Sequence, residues 1–478
     1  MKAFGNIAKD GQVRAIASGT MTDGKAVVVN SDGTVSVVGG ADQSVGNEGT
    51  YAAAITDRPT SAYDSNANRV VVAYRDENNG DYITAIVGTV SGSAVSFGTE
   101  VVVASVAITK TAIVYDANAQ KVVVFYDDSN NGNFFAKVGT VSGTSISFGS
   151  QVTLSTQNPI EQGVVYDANA QKVVVFYGDN ANSNRPTAKV GTISGTDITF
   201  GDASVVKDDA SDYNDITYDS NANKVVVCWQ DQGNSNRGTA AVGTVSGTDI
   251  SFGSAAVFDT GSIENIGVGF DASANKVVVA YQRGGSDNDG YTAIGTVSGT
   301  SISFATAVRF TTNSTREYFV IYDSNANSVV ITFRDTSDSN KLKFMIGTVS
   351  GTSITLSTPT QFQASGEHPS LAYDSSTNKV IIAYRATSGG NNHGKYVVLQ
   401  VGFTNITSEN FIGFSDGAFA DGESAVVNTT STIDRNQSSL TAGQTYFVQT
   451  DGTIGTTAAS PSVTAGTAIS ATEIIVKG

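Results

Sequence analysis

One motif recurs along most of the chain and constrains its fold more than any other feature. A Tyr-Asp or Phe-Asp pair, a short polar turn and a Val-rich run follow one another seven times. The aspartates of the seven pairs are Asp64, Asp116, Asp167, Asp219, Asp271, Asp323 and Asp374. Their successive spacings are 52, 51, 52, 52, 52 and 51 residues. A period of this length and regularity indicates a propeller or a solenoid.

Each repeat contains four strand signals. In the second repeat they are Ile113 to Tyr115, Lys121 to Tyr126, the stretch that leads into Gly139, and Ser145 to Phe148. Four short strands in roughly 50 residues are typical of a propeller blade. The second strand is nearly continuous Val and aromatic, as in Val173 to Tyr177, so we expect both of its faces to be buried. A β-solenoid is the alternative architecture, but its coils are usually shorter and its ends need caps.

The last repeat predicts how the ring closes. It has the first three strands, but Gly402 to Asn405 replaces the Gly-Thr-Val-Ser-Gly hairpin that leads to the fourth. The segment Asp42 to Tyr51 lies ahead of the first repeat at the offset of a fourth strand. We expect this segment to complete the last blade, because closure removes two exposed strand edges. The predicted fold class is all-β, with a seven-bladed β-propeller over residues 42–402 that is closed by an N-terminal strand.

The segments outside the ring, 1–41 and 403–478, also carry strand signals. Val27 to Val29 and Val35 to Val38 flank Asp32-Gly33, and Tyr446 to Val448 precedes Asp451-Gly452 in the same way. Asp-Gly between two apolar runs is a strong hairpin signal. We therefore predict an N-terminal β-hairpin segment over 1–41 and a small β domain over 403–478, which emerge side by side and form one unit.

The residues after each recurrent aspartate match part of a calcium-binding loop. Asp64, Asn66 and Asn68 have the spacing of its first three oxygen ligands. Gln120 and Gln171 replace the third ligand in two repeats, and the glycine and late glutamate of such a loop are missing. We therefore predict that each aspartate accepts hydrogen bonds from its own turn, with a calcium site as the alternative.

A second position, eleven residues after each aspartate, changes its chemistry from repeat to repeat. In chain order it holds Arg75, Asp127, Gly178, Gln230, Gln282, Arg334 and Arg385. In a closed ring the three arginines fall on consecutive blades, so we predict a basic arc on an otherwise acidic molecule. The alternative is that Arg75 and Arg334 pair with the neighbouring Asp76 and Asp335.

The connections between the second and third strands vary and are rich in Asp, Asn, Gly and aromatic residues. They are Asn78 to Tyr82, Asn130 to Phe135, Asn180 to Pro186, Ser286 to Tyr291 and Asn391 to His393. Variable polar loops on a rigid ring suit recognition of sugars or of a protein surface. Besides the three arginines, the candidate ligand-binding residues are Tyr82, Phe134, Phe135, Tyr291 and His393. The alternative is that these loops are only solvated.

Charge and composition exclude several classes of function. Lys and Arg number 28 against 44 Asp and Glu, a net charge of −16 without an acidic tail, which opposes binding to nucleic acids or to an anionic membrane. The single cysteine, Cys228, permits no intramolecular disulfide, and we expect neither a metal nor a cofactor. Met1 to Asp10 has no continuous apolar run, so we predict synthesis in the cytoplasm without a Sec signal or a membrane insertion.

A glycosidase is the enzymatic alternative. Propeller glycosidases place carboxylates near the central channel, at a separation that fits their mechanism, but this sequence singles out no such pair. The Ser-x-Asp-x-Gly-x-Thr-Trp turns typical of sialidases are absent, and Trp229 is the one tryptophan. We therefore expect no enzymatic activity.

Both ends of the chain resemble segments of virion proteins from tailed phages, especially marine ones. The resemblance is carried by Gly19 to Val35 (GTMTDGKAVVVNSDGTV), Leu440 to Gly452 (LTAGQTYFVQTDG) and Ala465 to Thr472 (AGTAISAT). In such proteins this β module looks like an attachment domain of tail fibres, spikes and capsid-surface knobs. The resemblance implies a location on the virion and contacts with other virion proteins through the terminal segments.

The leading hypothesis is therefore a phage virion appendage. Its ends anchor it to the particle, and its propeller presents a variable face to polysaccharide or protein on the host surface. One alternative is a capsid-decorating protein whose ring binds no receptor, and another is an enzyme that trims polysaccharide. Homo-oligomerisation is left open, since fibres and spikes are often trimeric.

Overall fold

The computed structural model describes residues 11–285, 288–388, 392–459 and 461–477. The chain forms two compact units, one built from both ends of the chain, up to Ser44 and from Val401 onward, and the other from Val45–Gln400. The secondary structure is all-β and consists of antiparallel sheets, and the described residues include short 3-10 turns at Glu77–Asn79, Asn180–Asn182 and Gln232–Asn234. Over the described ranges, no helix has the length and apolarity needed to cross a bilayer.

The larger unit contains the seven repeats, and three strands of each follow the sequence motif. The first strands are Gly49–Asp64, Thr111–Asp116, Pro159–Asp167, Ser211–Asp219, Ala256–Asp271, Thr315–Asp323 and Gly366–Asp374. The second strands are Arg69–Asp76, Lys121–Asp128, Lys172–Asp179, Lys224–Asp231, Lys276–Arg283, Ser328–Asp335 and Lys379–Ala386. The third strands are Tyr82–Ser91, Asn133–Ser142, Arg185–Ser194, Arg237–Ser246, Asp289–Ser298, Lys341–Ser350 and His393–Gln400.

The predicted fourth strand is present, as Ser145–Phe148 in the second repeat, and a further short strand follows it; we call the two the inner and outer segments. In the second repeat, Ser145–Phe148 pairs with the C-terminal part of Asn133–Ser142, and Val152–Ser155 pairs with its N-terminal part. The inner segments are Ala94–Phe97, Ser145–Phe148, Asp197–Phe200, Asp249–Phe252, Ser301–Phe304 and Ser353–Leu356. The outer segments that stand as separate strands are Val101–Ala107, Val152–Ser155, Ser204–Val205, Val308–Thr311 and Thr360–Gln363.

Two long strands belong to two repeats at once. Ala256–Asp271 pairs with the third strand of repeat four through its first half and with the second strand of repeat five through its second half. Gly49–Asp64 pairs in the same way with His393–Gln400 of repeat seven and Arg69–Asp76 of repeat one. The N-terminal segment thus supplies an outer strand to the last repeat.

The core lies between neighbouring repeats and is built on the second strands. Val173 to Tyr177 are at most 1% exposed, which confirms that both faces of this strand are buried. Val173 and Val175 pack with repeat two, whereas Val174 and Phe176 pack with repeat four. Because side chains alternate between the faces of a strand, one Val-rich run stabilises two interfaces.

The recurrent aspartate fixes a turn, as predicted. The side chain of Asp167 accepts hydrogen bonds from the backbone N–H groups of Asn169 and Ala170, at 3.0 and 2.9 Å. The other six aspartates make the corresponding pair of bonds. The hydroxyl of Tyr218, from the next repeat, accepts a further bond from the N–H of Asn169 at 3.1 Å. The Tyr-Asp pair therefore stabilises both its own turn and the junction with its neighbour.

The smaller unit combines strands from both ends of the chain. One sheet has the order Gln12–Ile16, Ser424–Thr429, Phe411–Ser415, Ala26–Val29 and Val35–Val37, and the other has Ile433–Asp434, Ile474–Val476, Thr464–Ala468, Thr445–Val448 and Ile454–Gly455. A short pair joins Gly40–Ala41 to Phe403–Thr404. The short strand Ser44–Val45 pairs with His393–Gln400 of repeat seven. Both predicted hairpins are present, with Val27 opposite Val37 and Val448 opposite Ile454.

Candidate functional site

A cavity of about 470 Å³ is lined by residues from the first strands of all seven repeats. The first strand of each repeat lies against the first strands of the next and the preceding repeat, and Gly366–Asp374 of repeat seven lies against Gly49–Asp64 of repeat one. The cavity therefore occupies the position where the repeats converge. Its volume is within the range of about 300–1,000 Å³ that is usual for small-ligand pockets.

One repeat position supplies seven side chains to this cavity. It lies six residues before each recurrent aspartate, at the N-terminal side of the first strand. The residues at this position, which we call the inner ring, are Arg58, Lys110, Glu161, Tyr213, Asn265, Glu317 and His368. The framework around the inner ring repeats almost unchanged, whereas this position carries a different combination of charge, aromaticity and hydrogen-bonding groups in nearly every repeat.

The backbone at the inner ring is strained. Six of the seven residues have a positive φ, from 36° at Glu161 to 58° at Glu317, with Lys110 as the exception. In the same six repeats the pairing of the first and second strands shifts register at this point, as between Ile160 and Gln162. Left-handed backbone costs a non-glycine residue about 1–2 kcal/mol. This bulge turns the side chain out of the sheet and into the cavity.

The sequence pattern alone did not point to the inner ring. The predicted first strand began at Ile113 in repeat two, whereas the structure begins it at Thr111, directly after Lys110. In the six repeats that carry the bulge, the alternation of apolar and polar residues breaks there, so the preceding residues read as loop. The signal that could have found the ring was the chemistry itself, because a constant offset from the aspartate holds mostly ionisable or aromatic side chains.

Charged groups are unevenly distributed around the cavity. On repeats two and three, Nζ of Lys110 lies 3.3 Å from Oε1 of Glu161. On repeat four, burial raises the pKa of Tyr213 to about 12, and the nearby carboxylates of Glu264, Asp212 and Glu161 act in the same direction. The positive charge of Arg316, on repeat six, opposes that rise.

Asp215 is a second ionisable group in the cavity wall on repeat four. Burial raises the pKa of its carboxyl group to about 7. The N–H groups of Ile216 and Val268 donate to its two oxygens at 2.9 and 2.8 Å, which favours the ionised form and partly opposes the effect of burial. Asp215 is therefore a group in the cavity that changes charge near neutral pH.

The three arginines of the predicted basic arc do lie together, but they form a neutralised network. Arg385 and Arg75 share Asp57, at 3.1 and 3.5 Å, and Arg385 and Arg334 share Glu367, at 3.6 and 2.9 Å. Asp81, Glu77 and Glu317 provide further ion pairs. The prediction of an unpaired basic arc is wrong, because carboxylates from adjacent repeats fill the space between the guanidinium groups.

The alternative, in which Arg75 and Arg334 pair with the neighbouring Asp76 and Asp335, is also wrong. Asp76 accepts a hydrogen bond from the backbone of Asn78 and caps a 3-10 turn, and Asp335 pairs with Lys343 at 2.9 Å. The side chains of Arg334 and Arg385 are each 15% exposed, and that of Arg75 is 25% exposed. Their main role in the fold is to join repeats six, seven and one.

The predicted aromatic candidates divide into two groups. Phe134 is fully buried and packs edge-on against Tyr177, and Phe135 is 7% exposed and packs against Tyr126. These two are core residues, because the third strand begins at Asn133 and carries them into the sheet. As candidate ligand contacts they were wrong.

The other three candidates are half-buried. Tyr82 begins the third strand of repeat one, and Nδ1 of His393 lies 3.4 Å from the carbonyl oxygen of Ala54. Tyr291 stacks on Tyr281, and the guanidinium of Arg283 lies 3.9 Å from the centre of its ring. None of the three lines the cavity. Ser286, Asp287 and Asn391 of the variable connections lie outside the described residues.

Over the described ranges, no group of three or more His, Cys, Asp or Glu side chains is arranged to hold a metal ion. The chemistry that the cavity offers is that of hydrogen bonding, ion pairing and contact with an aromatic ring. These are the interactions that polar organic ligands require.

The fold has counterparts among solved structures. The BP39L lectin from Burkholderia pseudomallei matches 74% of this chain and 99% of its own, at 10% identity and a TM-score of 0.53. At this identity the likeness is one of fold alone. The polysaccharide lyase Uly1 matches 70% of this chain and 88% of its own, at 8% identity and a TM-score of 0.46. The Dos1 propeller matches 75% of this chain and 95% of its own, at 8% identity and a TM-score of 0.44. No family model and no curated protein matches the chain.

Proposed function

We propose that this chain is a phage virion appendage that binds a glycan of the host surface. In this proposal the repeats form a closed seven-bladed β-propeller, and the central cavity with its inner ring is the glycan-binding site. The smaller unit attaches the propeller to the particle. The protein acts by binding and not by catalysis.

Contacts between repeats seven and one support a closed ring. Val70 and Val72 of repeat one share a hydrophobic cluster with Ile381 of repeat seven, as do the second strands of other neighbours. The hydroxyl groups of Ser61 and Ser370 lie 2.9 Å apart across the same junction. The long strand Gly49–Asp64 joins these repeats as Ala256–Asp271 joins repeats four and five. A closed ring leaves no strand edge between them.

The inner ring is the observation that carries the proposed activity. A structural repeat has no reason to vary its chemistry at one strained position unless that position serves a ligand, since strained residues cluster at functional sites. Carboxylate, amide, hydroxyl and aromatic groups around one cavity match the donors, acceptors and ring faces of a sugar. That a lectin shares the fold concerns architecture alone.

The smaller unit supports the attachment role through its construction. The segments that resemble phage virion proteins form matching hairpins, in which Thr34 and Thr453 donate their backbone N–H groups to Asp32 and Asp451 at 2.9 Å. Multiple copies on a particle would raise a weak glycan affinity by multivalency.

The test is to apply the purified, labelled chain to an array of bacterial surface polysaccharides and to assay the same wells for released reducing sugar. Tyr213→Ala removes the inner-ring aromatic and is expected to lower binding at least tenfold. Tyr322→Ala is the matched control, because Tyr322 is a half-buried tyrosine at the opposite end of a first strand. Both variants are checked for folding by thermal unfolding.

The outcomes separate the candidate functions. Binding without release of sugar, reduced by Tyr213→Ala and retained by Tyr322→Ala, supports the adhesin. Release of reducing sugar would show that the enzymatic alternative is correct, and no binding on any array would favour a decorating protein. Particles from cells that express a tagged chain test attachment, since the full chain should copurify with virions and residues 45–400 should not.

A further inference from the structure

The charges that remain unpaired around the cavity carry information about the ligand. Asp57 already pairs with Arg75 and Arg385, so Arg58 is left with one distant contact, 3.9 Å from Nε to Oδ2 of Asp57. Arg316 is exposed and has no ion pair among the described residues. Both arginines line the cavity, from repeats one and six, which flank repeat seven.

The wall of the cavity opposite these arginines carries carboxyl, hydroxyl and amide groups instead of cations. Repeats three to five present Glu161, Tyr213, Asp215 and Asn265 to the cavity. Lys110 partly neutralises the charge of Glu161 through an ion pair, but the side chain of Glu161 is still 43% exposed. These groups accept hydrogen bonds from hydroxyl groups, and the ring of Tyr213 offers an apolar face.

We propose that the central cavity binds a saccharide that carries a negatively charged group. The anionic group lies between Arg58 and Arg316, and the hydroxyl groups and one ring face of the sugar lie against the wall of repeats three to five. This inference rests on the proposed function and adds the class of glycan and its orientation.

The orientation follows from the electrostatics of the two walls. A guanidinium group forms two parallel hydrogen bonds with a carboxylate or sulfate, which makes it the usual partner of such anions. An anion placed against repeats three to five would instead face the carboxylate of Glu161, at a cost in repulsion. A neutral sugar would leave Arg316 without a carboxylate and Arg58 with only its distant contact to Asp57, so the charged ligand is favoured over its neutral counterpart.

The experiment uses the full chain and pairs of oligosaccharides that differ in charge alone. Uronate oligosaccharides are compared with their carboxyl-reduced forms, and sulfated oligosaccharides with their desulfated forms, by calorimetry at low and high salt. The acidic member of a bound pair is expected to bind at least about tenfold more tightly at low salt, since hydrogen bonds to charged groups are the strong ones. The difference should shrink at high salt, because exposed arginines are screened.

Variants identify the residues responsible. Arg58→Gln and Arg316→Gln should each weaken binding of the acidic oligosaccharide about tenfold and weaken binding of its neutral form much less. Arg14→Gln is the matched control, because Arg14 is an exposed strand residue of the other unit.

Two failures can be told apart. Equal affinity for acidic and neutral members, or no effect of either arginine variant, overturns this inference and leaves glycan binding intact. No binding of any oligosaccharide or polysaccharide overturns the proposed function as well. Which pair shows the difference distinguishes a carboxylate from a sulfate as the recognised group.

Discussion

At the scale of single residues, the inner ring concentrates backbone strain where the cavity needs side chains. Glu161 has a φ of 36°, within the left-handed region that glycine adopts without penalty. The sequence nevertheless places a charged residue there, as it places Tyr213 and His368 at the same position of other repeats. We infer that stability is sacrificed locally for ligand contacts.

The first prediction separates strain from side-chain chemistry. The free energy of unfolding of Glu161→Gly should exceed that of Glu161→Ala by about 1 kcal/mol. Both variants lose the carboxylate, but glycine alone relieves the strain of the left-handed backbone. Urea titration followed by circular dichroism measures the difference. Under the proposed function, both variants should bind the glycan more weakly than the natural chain. Equal stability of the two variants would mean that the backbone at this position is not strained.

Asp215 supplies a prediction about pH. Its carboxyl has a pKa of about 7 in the folded chain, above the ordinary value of 3.8. Between these values the unfolded chain has released a proton that the folded chain still holds, so this group makes stability fall as the pH rises from about 4 to about 7. Asp215→Asn should therefore lose less stability than the natural chain as the pH rises from about 4 to above 7.

Thermal unfolding at pH 4.5 and pH 8 measures this effect. The matched control is Asp197→Asn, at an exposed position of a hairpin, which should leave the dependence on pH unchanged. A slope that is identical in the natural chain and in Asp215→Asn would contradict the raised pKa.

At the scale of the structural element, close packing explains the first of the two glycines in the recurrent hairpin, which reads Gly-Thr-Val-Ser-Gly in most repeats and Gly-Thr-Ile-Ser-Gly at Gly191. A Cβ atom on Gly191 would lie 2.8 Å from Cδ1 of Ile198 and 3.0 Å from the ring of Phe200, both on the facing strand. The first glycine of the other five hairpins has similarly close neighbours. In repeat seven, which lacks the hairpin, Leu399 holds the corresponding position opposite Val380.

This packing predicts the effect of a methyl group. Gly191→Ala should destabilise the chain by about 1–3 kcal/mol, as overpacking usually does. The loss of stability caused by Gly191→Ala should be at most half as large in a chain that also carries Ile198→Val, because that change removes Cδ1, the closest atom. Gly195→Ala is the control, because Gly195 has a φ of 64° and no neighbour within 4 Å, so only the conformational penalty of about 1 kcal/mol applies. Equal losses at Gly191 in both backgrounds would exclude the steric explanation.

The repeats made most of the fold predictable from the sequence. Period, turn chemistry and continuous Val runs indicate strand order and burial, because each depends on residues close together in the chain. The neutralised arginine network could not be predicted in the same way. Arg385 meets Asp57 from a distance of 328 residues, and such partners are set by the convergence of repeats. Burial of Phe134 depends in turn on where a strand begins, which local patterns define to within a few residues.

At the scale of the whole molecule, the N-terminal region of the chain contributes strands to both units. Residues up to Ser44 pair with strands that follow Val401, as Val13 pairs with Val427 in the smaller unit. The next segment pairs with repeat seven in the larger unit. A single polypeptide thus contributes its N-terminal region first to the smaller sheets and then to the sheet of repeat seven.

The last prediction tests the proposed closure directly. The chain of residues 45–400 should fold as a monomer, whereas 57–400 lacks the strand whose Ala52 and Thr50 lie opposite Gly394 and Lys395. Without that strand, the third strand of repeat seven becomes an exposed edge, and the apolar surface that Tyr51 covers is left to solvent. The melting temperature of 57–400 should be lower by at least about 5 °C, since the loss of a strand removes several kcal/mol. A synthetic peptide of residues 45–56 should restore it by strand addition, and a scrambled peptide should not. Equal melting temperatures for the two chains would mean that the N-terminal strand does not hold the ring together.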